Sequence, residues 1–223
     1  MSRSSSLSKA DSQSSRPKAV IFDIGRVIVR LDLHRAFGSN ATLVHVGGQS
    51  AQPLSPEDIW KMICADARWQ EWQEGRLSPA EWHEHLMHRL KLSLSYGEFR
   101  DAWNLVLDPE PILGENLFVQ LKGRCQLALL SNTDPIHVDA LEQGFTFARH
   151  FAVRIYSCSV GATKPSPAIY EAALDALGVP PQEALYVDDM REFVEAARDM
   201  GMDAIQFRDP RLLESELRLR GVL

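Results

Sequence analysis

Cysteine is scarce in this sequence. Its 223 residues include three, Cys64, Cys125 and Cys158, far apart and odd in number. That excludes a disulfide framework, gives no metal-ligand spacing, and suits a reducing, cytoplasmic setting. Long apolar runs are missing as well. None approaches the roughly 20 residues that a membrane-spanning helix needs, so no membrane partner is expected. Positive charge is in deficit, with 24 Lys and Arg against 30 Asp and Glu and a net charge of -6. Without a dense basic cluster there is no groove to track a nucleic-acid backbone. The seven histidines form no ligand cluster. His83, His85 and His88 fall in one helical stretch and read as surface groups. Oligomeric state leaves no mark on the sequence.

What is present is ordinary globular composition, 45% hydrophobic and 24% charged, at a length that suits one large domain or a domain with a smaller insert. Residues 1–17 (MSRSSSLSKADSQSSRP) are serine-rich and almost without large apolar side chains. Such a segment cannot bury enough surface to offset its ordering entropy and reads as a disordered tail. It lacks the apolar core of a secretory signal. Its Ser/Arg content suits a transit peptide, but Asp11 and poor amphipathicity argue the other way.

Beyond residue 110 short apolar runs alternate with helical stretches. Buried strands are predicted at 19–22, 125–130, 151–156, 184–187 and 203–207, with helices starting near Pro135, Pro167 and Pro210 and another through VEAARDM. Each of these prolines follows Asp or Ser, a cap residue before a first-turn proline. This alternation implies an α/β fold, a parallel sheet covered by helices on both faces. Residues 33–110 read differently. Ser55-Pro-Glu-Asp58, Ser78-Pro-Ala-Glu81 and Ser95-Tyr-Gly-Glu98 look like capping boxes, each opening a helical stretch. This block is expected to be an all-helical lid inserted after the first strand, with Pro109 and Pro111 near its return. It holds all five tryptophans, 60, 69, 72, 82 and 103, which are expected to pack the lid's own small core while one or two line a substrate pocket.

Four polar stretches sit just past apolar strands: Asp23, Ser131-Asn132-Thr133-Asp134, Lys164 and Asp188-Asp189. Singly, each reads as a turn, a cap or a solvated loop. In an open parallel sheet, however, the carboxyl ends of the strands converge on one rim, where ligands bind. Together these residues offer carboxylates for a hard cation, and a hydroxyl, amides and a lysine for an anion. That is the equipment of phosphoryl transfer, where charge stabilisation dominates.

The stretches VIFDIGRVIV, ALLSNTD, GATKPSPAIYEAAL and LYVDDMREFVEAARDMGM, in this order, resemble the haloacid dehalogenase superfamily, in its helical-cap subfamily. EGRLSPAEW resembles cap sequences of that group. The nearest branch has D-x-G-[GN]-V at its first motif and includes glucose-1-phosphate phosphatases and the phosphatase domain of soluble epoxide hydrolases. The resemblance implies a Rossmann-like core from 18–32 and 111–223, with a helical cap over 33–110. It implies an Mg²⁺-dependent phosphomonoester hydrolase acting on a small phosphometabolite, such as a sugar phosphate, through an aspartyl phosphate. Asp23 would be the nucleophile and a metal ligand. Ser131 and the Asn132 amide would hold the phosphoryl oxygens, and Lys164 would neutralise charge between nucleophile and phosphate. Asp189 would bind Mg²⁺ directly, with Asp188 nearby and the Gly25 carbonyl as a further ligand.

The departures from that pattern bear on rate and substrate. Most of the family's phosphatases carry an aspartate at the position of Gly25, as general acid and base. Glycine keeps the carbonyl and loses the proton donor, which favours leaving groups that need little protonation, such as an anomeric phosphate. A substitute acid is then to be sought in the lid, first around Glu81 to His85. Arg26 stands where the branch has glycine or asparagine, either against substrate or in solvent. Met190 and Phe193 replace two asparagines, and Phe193 is expected to narrow the pocket. Two alternatives remain open: a metal-independent 2-haloacid dehalogenase, disfavoured by the Asp188-Asp189 pair, and a phosphometabolite-binding protein of weak activity.

Overall fold

The structure, a computed structural model, describes residues 16–38 and 55–223. The chain enters on β1 (Ala19–Phe22) and β2 (Val29–Leu31), followed by helices α1 (Leu33–Phe37), α2 (Pro56–Cys64), α3 (Trp69–Gln73), α4 (Pro79–Leu90) and α5 (Tyr96–Asn104). It returns through β3 (Leu107–Pro111) and α6 (Glu115–Lys122). Strand–helix alternation then runs β4 (Gln126–Ser131), α7 (Pro135–Gly144), β5 (Val153–Tyr156), α8 (Ser157–Val160), α9 (Pro167–Leu177), β6 (Ala184–Asp188), α10 (Arg191–Asp199), β7 (Asp203–Gln206) and α11 (Pro210–Leu219).

The five-stranded sheet has the order β5-β4-β1-β6-β7, and every pairing in it is parallel. A strand buried on both faces reads as a continuous apolar run, and AVIF is inaccessible along its whole length. Alternate residues serve opposite faces. Val20, Phe22, Leu127, Leu129, Leu185 and Val187 join one apolar cluster with α6, α7 and α11, while Ala19, Ile21, Ala128, Leu130 and Tyr186 join the other with α9 and α10. Because β1 is central, the chain winds to one side through β4 and β5 and then crosses to β6. The ends of β1, β4 and β6 therefore flank the point where the winding reverses, the usual place for a ligand in an open sheet.

Several expectations need correction. The block 33–110 is not helical to its end: Leu107–Pro111 is a strand, antiparallel to Val29–Leu31. Pro109 and Pro111 are tolerated there because a two-stranded ribbon leaves outward N–H positions unpaired. Ser78 and Ser95 form reciprocal capping boxes with Glu81 and Glu98. Ser55 does not, since Asp58 is one methylene shorter and accepts from the Ser55 hydroxyl rather than from its backbone N–H. Helix α6 escaped notice because its N-cap is Gly114, with no side-chain cap. The strand expected at 151–156 starts at Val153, after a 3₁₀ turn over Thr146–His150. The tail expected over 1–17 lies outside the described residues except for its last two, and there Pro17 is buried and Arg16 donates to the Arg124 carbonyl at 2.6 Å.

Three of the five tryptophans also differ from expectation. Trp72, Trp82 and Trp103 are almost inaccessible, but they belong to the same apolar cluster as Val20 and Phe22 of β1, not to a separate small core. Trp103 of α5 makes the link. It stacks on His137 of α7 at 5.6 Å between ring centroids, and its Nε1 donates to Asp134 at 3.2 Å.

Candidate active site

Asp23 follows the last residue of β1 and is held there by its own N–H, which donates to the Val187 carbonyl at 2.9 Å. Its carboxylate accepts from Lys164 Nζ at 2.8 Å, and the same ammonium donates to Asp188 Oδ2 at 2.7 Å. Asn132 clamps the lysine's loop: its Oδ1 accepts from the Lys164 N–H at 2.7 Å and its Nδ2 donates to the Lys164 carbonyl at 3.1 Å. Phe193 lies 4.9 Å from Nζ, a cation–π contact. That gives the residue standing in place of an asparagine a visible task. Ser131, the last residue of β4, turns into the same cavity.

Asp188 and Asp189 are adjacent in sequence and unlike in setting. Asp188 is fully buried. Its Oδ2 accepts from Lys164 and from the Tyr186 hydroxyl, and its Oδ1 accepts from the Met190 N–H at 2.8 Å. Asp189 lines the cavity and pairs with Arg26, whose Nε is 3.2 Å from Oδ2. Arg26 therefore neither points freely to solvent nor turns wholly to the substrate space. It sits at φ 60, the left-handed region, which costs a non-glycine residue roughly 1–2 kcal/mol. Gly25 beside it needs no such angle. A Cβ built there would meet Leu31 Cδ1 at 3.5 Å, an ordinary contact.

The electrostatics follow from burial and charge. Burial pushes the Asp23 carboxyl up to about 7, with Lys164 pulling against the rise and Asp188 adding to it. Burial also works against the charge on Lys164, but Asp23 and Asp188 outweigh it and hold the ammonium above its ordinary value. Burial raises Asp189 as well, and Arg26 opposes the rise. Among the described residues, Asp23, Asp188 and Asp189 bring carboxylate oxygens within 4.8 Å of one another. Three carboxylates with a single ammonium between them suit a hard divalent cation. Asp188 is the poorest ligand of the three, because its oxygens already accept from protein donors.

The cavity of about 360 Å³ in front of Asp23 is lined by Ser131, Asn132, Lys164, Asp189, Arg26 and Gly25 on one side. On the other stand Leu31, Leu33, Trp60, Cys64, Trp69 and Gln73. The structure thus brings the expected residues together, Asp188 lying behind the wall and the others on it. No residue from Glu81 to His85 reaches the cavity. Glu81 caps α4, His83 bonds the Leu94 carbonyl at 2.9 Å, and His85 bonds Asp66 at 2.9 Å. Gln73 carried no sequence signal. It is placed by the Ser157 hydroxyl, which donates to its carbonyl at 2.7 Å, and by Gly75, where a Cβ would fall 2.0 Å from the Cys158 carbonyl oxygen.

Known proteins share this framework. A D-ribitol-5-phosphate phosphatase from Bacteroides thetaiotaomicron is 26% identical over 195 residues, 85% of this chain and 91% of that protein. Bifunctional epoxide hydrolase 2 of Rattus norvegicus is 45% identical over 62 residues, 28% of this chain and only 11% of that protein's length. In structure, a Bacteroides thetaiotaomicron enzyme solved with magnesium and inorganic phosphate superposes with a TM-score of 0.73 at 21% identity, covering 87% of this chain and 96% of that one. An L-2-haloacid dehalogenase from Xanthobacter autotrophicus has the same fold at a TM-score of 0.60 and 22% identity, covering 93% and 84%. Among the described residues no helix is long and apolar enough to cross a membrane. The family model for haloacid dehalogenase-like hydrolases matches residues 17–201, and the chain belongs to that family.

Proposed function

We propose that the protein is an Mg²⁺-dependent phosphomonoester hydrolase that acts on a small phosphorylated molecule through an aspartyl phosphate on Asp23. The observation that carries this is the buried ammonium of Lys164 set 2.8 Å from the Asp23 carboxylate, with Asp189 facing the same cavity. Lys164 would neutralise charge between nucleophile and phosphoryl group. Ser131 and the Asn132 backbone N–H would receive the phosphoryl oxygens. The Asn132 side chain, spent on the Lys164 loop, would act by positioning that loop. Mg²⁺ would be held by Asp23, Asp189 and the Gly25 carbonyl, supplying charge neutralisation at the transferring group. Asp188 would hold Lys164 in place. In this reading 18–32 and 111–223 form the core, and 33–110 the cap that closes the far side of the cavity.

Similarity to phosphatases supports the reaction class, and the carboxylate facing the cavity at 189 favours it over metal-independent dehalogenation. The Arg26–Asp189 pair is the one feature that favours a weakly active binding protein, since the guanidinium competes for a metal ligand. Calorimetry decides between them. Mg²⁺ should bind the wild-type protein and fail to bind Asp189→Ala, and phosphate release should stop in excess chelator. Equal Mg²⁺ affinity in both proteins refutes the metal site, and full turnover in chelator refutes metal dependence.

A further inference from the structure

A phosphomonoesterase must do something with the electron pair left on the departing oxygen. An alkoxide is a poor leaving group, and a positioned acid typically contributes about 10²–10⁴-fold by protonating it. Among the described residues around this cavity no side chain fits that task. Gly25 has none. Cys64 is on the wall, but burial pushes its thiol up to about 11, far from the neutral range where a general acid works best. Lys164 is committed to Asp23 and Asp188, and Arg26 to Asp189.

His137 borders a narrower recess of about 90 Å³ that shares Leu31, Trp60, Trp69 and Gln73 with the main cavity. Its ring protons are already engaged. Nδ1 lies 2.8 Å from the Asp134 carboxylate and Nε2 3.2 Å from the Trp103 carbonyl. Both partners are acceptors, so both ring N–H groups are already donating.

The walls narrow the choice further. Away from the phosphate end, the apolar lining is Leu31, Leu33, Trp60 and Trp69, and the recess adds Val106, Leu107 and Leu141 beside Thr133 and the paired Asp134 and His137. Trp60 and Trp69 meet edge to face at 5.6 Å, and both are partly exposed. Among the described residues of these walls, Gln73 and the Thr133 hydroxyl are the uncommitted polar groups. The several hydroxyls of a sugar or polyol would find few partners there and otherwise be buried unpaired, which is costly. A flat apolar ring finds aromatic faces.

From these two independent features, and resting on the phosphomonoesterase reading above, we infer that the substrate is an aryl phosphate: a phosphate ester borne directly on an aromatic ring seated against Trp60 and Trp69, with Gln73 reading one polar atom on the ring's edge. The reaction then needs no acid. An Asp23 oxygen forms a bond to phosphorus as the phosphorus–aryl oxygen bond breaks, and the electron pair leaves on the aryl oxygen. That phenolate takes its proton from solvent. Water then attacks phosphorus and the bond to Asp23 breaks. The carboxylate is regenerated, and both hydrogens of the water depart on dihydrogen phosphate.

The test compares phenyl phosphate with cyclohexyl phosphate, which differ little in size and greatly in leaving-group acidity, alongside glucose 1-phosphate and acetyl phosphate, all with Mg²⁺. Wild type should show kcat/KM at least about 10²-fold higher for phenyl than for cyclohexyl phosphate, and higher for phenyl phosphate than for glucose 1-phosphate. Gly25→Asp, whose new side chain the backbone admits, should cut the phenyl-to-cyclohexyl ratio to about tenfold or less. Trp69→Leu should raise the ratio of KM for phenyl phosphate to KM for acetyl phosphate by about tenfold. Glucose 1-phosphate or cyclohexyl phosphate turned over as well as phenyl phosphate overturns the inference and leaves the phosphatase reading standing. Hydrolysis of none of the four, acetyl phosphate included, removes both. The wild-type series needs no variant to fold.

Discussion

Two neighbouring side chains show how much a single residue decides. Asp188 looked in the sequence like half of a metal-binding pair, and a carboxylate pair after an apolar strand was reason enough to group it with Asp189. Its burial and its three donors are tertiary facts that no spacing discloses. Asp23 and Lys164 were legible because each stands just past an apolar strand or in a motif of fixed order, and the structure brings them into contact. Arg26 was legible as a departure but not in its consequence. Its guanidinium lies on Asp189 and its backbone sits at φ 60. Arg26→Gly frees Asp189 and removes the left-handed penalty. An exposed ion pair is worth roughly 0.2–1 kcal/mol, so Mg²⁺ affinity should rise about 1.4- to fivefold in calorimetry. Denaturant unfolding should show stability unchanged or higher by roughly 1 kcal/mol. A weaker Mg²⁺ site in the glycine variant would mean that Arg26 supports the site instead of competing for it.

At the scale of elements, the joint between α5 and α7 stands out. Asp134 caps α7 through Oδ1, which accepts from the Ile136 and His137 N–H groups at 3.0 Å each, while Oδ2 accepts from Trp103 Nε1 and lies 2.8 Å from His137 Nδ1. From sequence, Asp134 was one of four polar residues after a strand. Its cap role was readable, but its bridge to Trp103, a helix away, was not. Burial opposes the charge on both members of the pair. Asp134 nevertheless overcomes this to raise His137, and His137 overcomes it to lower Asp134. The pH dependence follows from those directions. The His137 contribution is fully present below the ordinary histidine value of 6.5 and is lost as pH rises through its raised folded value. The Asp134 contribution is present above the ordinary aspartate value of 3.8 and is lost as pH falls through its lowered folded value. Stability should therefore be greatest between these limits. Urea melts across pH should show wild type losing stability on the alkaline side. His137→Ala should be less stable by about 3 kcal/mol near pH 6, as for a broken buried pair, and should lack that alkaline decline. An unchanged alkaline decline in the variant would place its origin elsewhere.

At the scale of the molecule, the alternation of apolar runs and helices disclosed the parallel sheet, because strands buried on both faces leave a plain record in sequence. The second sheet left almost none, since its strands are short and one contains two prolines. The polar rim was readable because strand ends converge by topology. The opposite wall was readable only in part: one or two tryptophans were expected on a pocket, and Trp60 and Trp69 are there, but which two, and Gln73 beside them, depends on how α2 and α3 lie over the rim and on the close approach of Gly75 to Cys158. The account as a whole rests on Asp23 attacking phosphorus, and one measurement reaches it directly: phosphate release from phenyl phosphate in saturating Mg²⁺ by wild type and by Asp23→Asn, both shown to be folded by their thermal unfolding. An amide keeps the size of the side chain but neither attacks phosphorus nor ligates Mg²⁺ as a carboxylate does. The account predicts turnover by wild type and a loss of at least about 10³-fold in the variant, on the scale of lost nucleophiles elsewhere. Turnover by Asp23→Asn within a few-fold of wild type would contradict it.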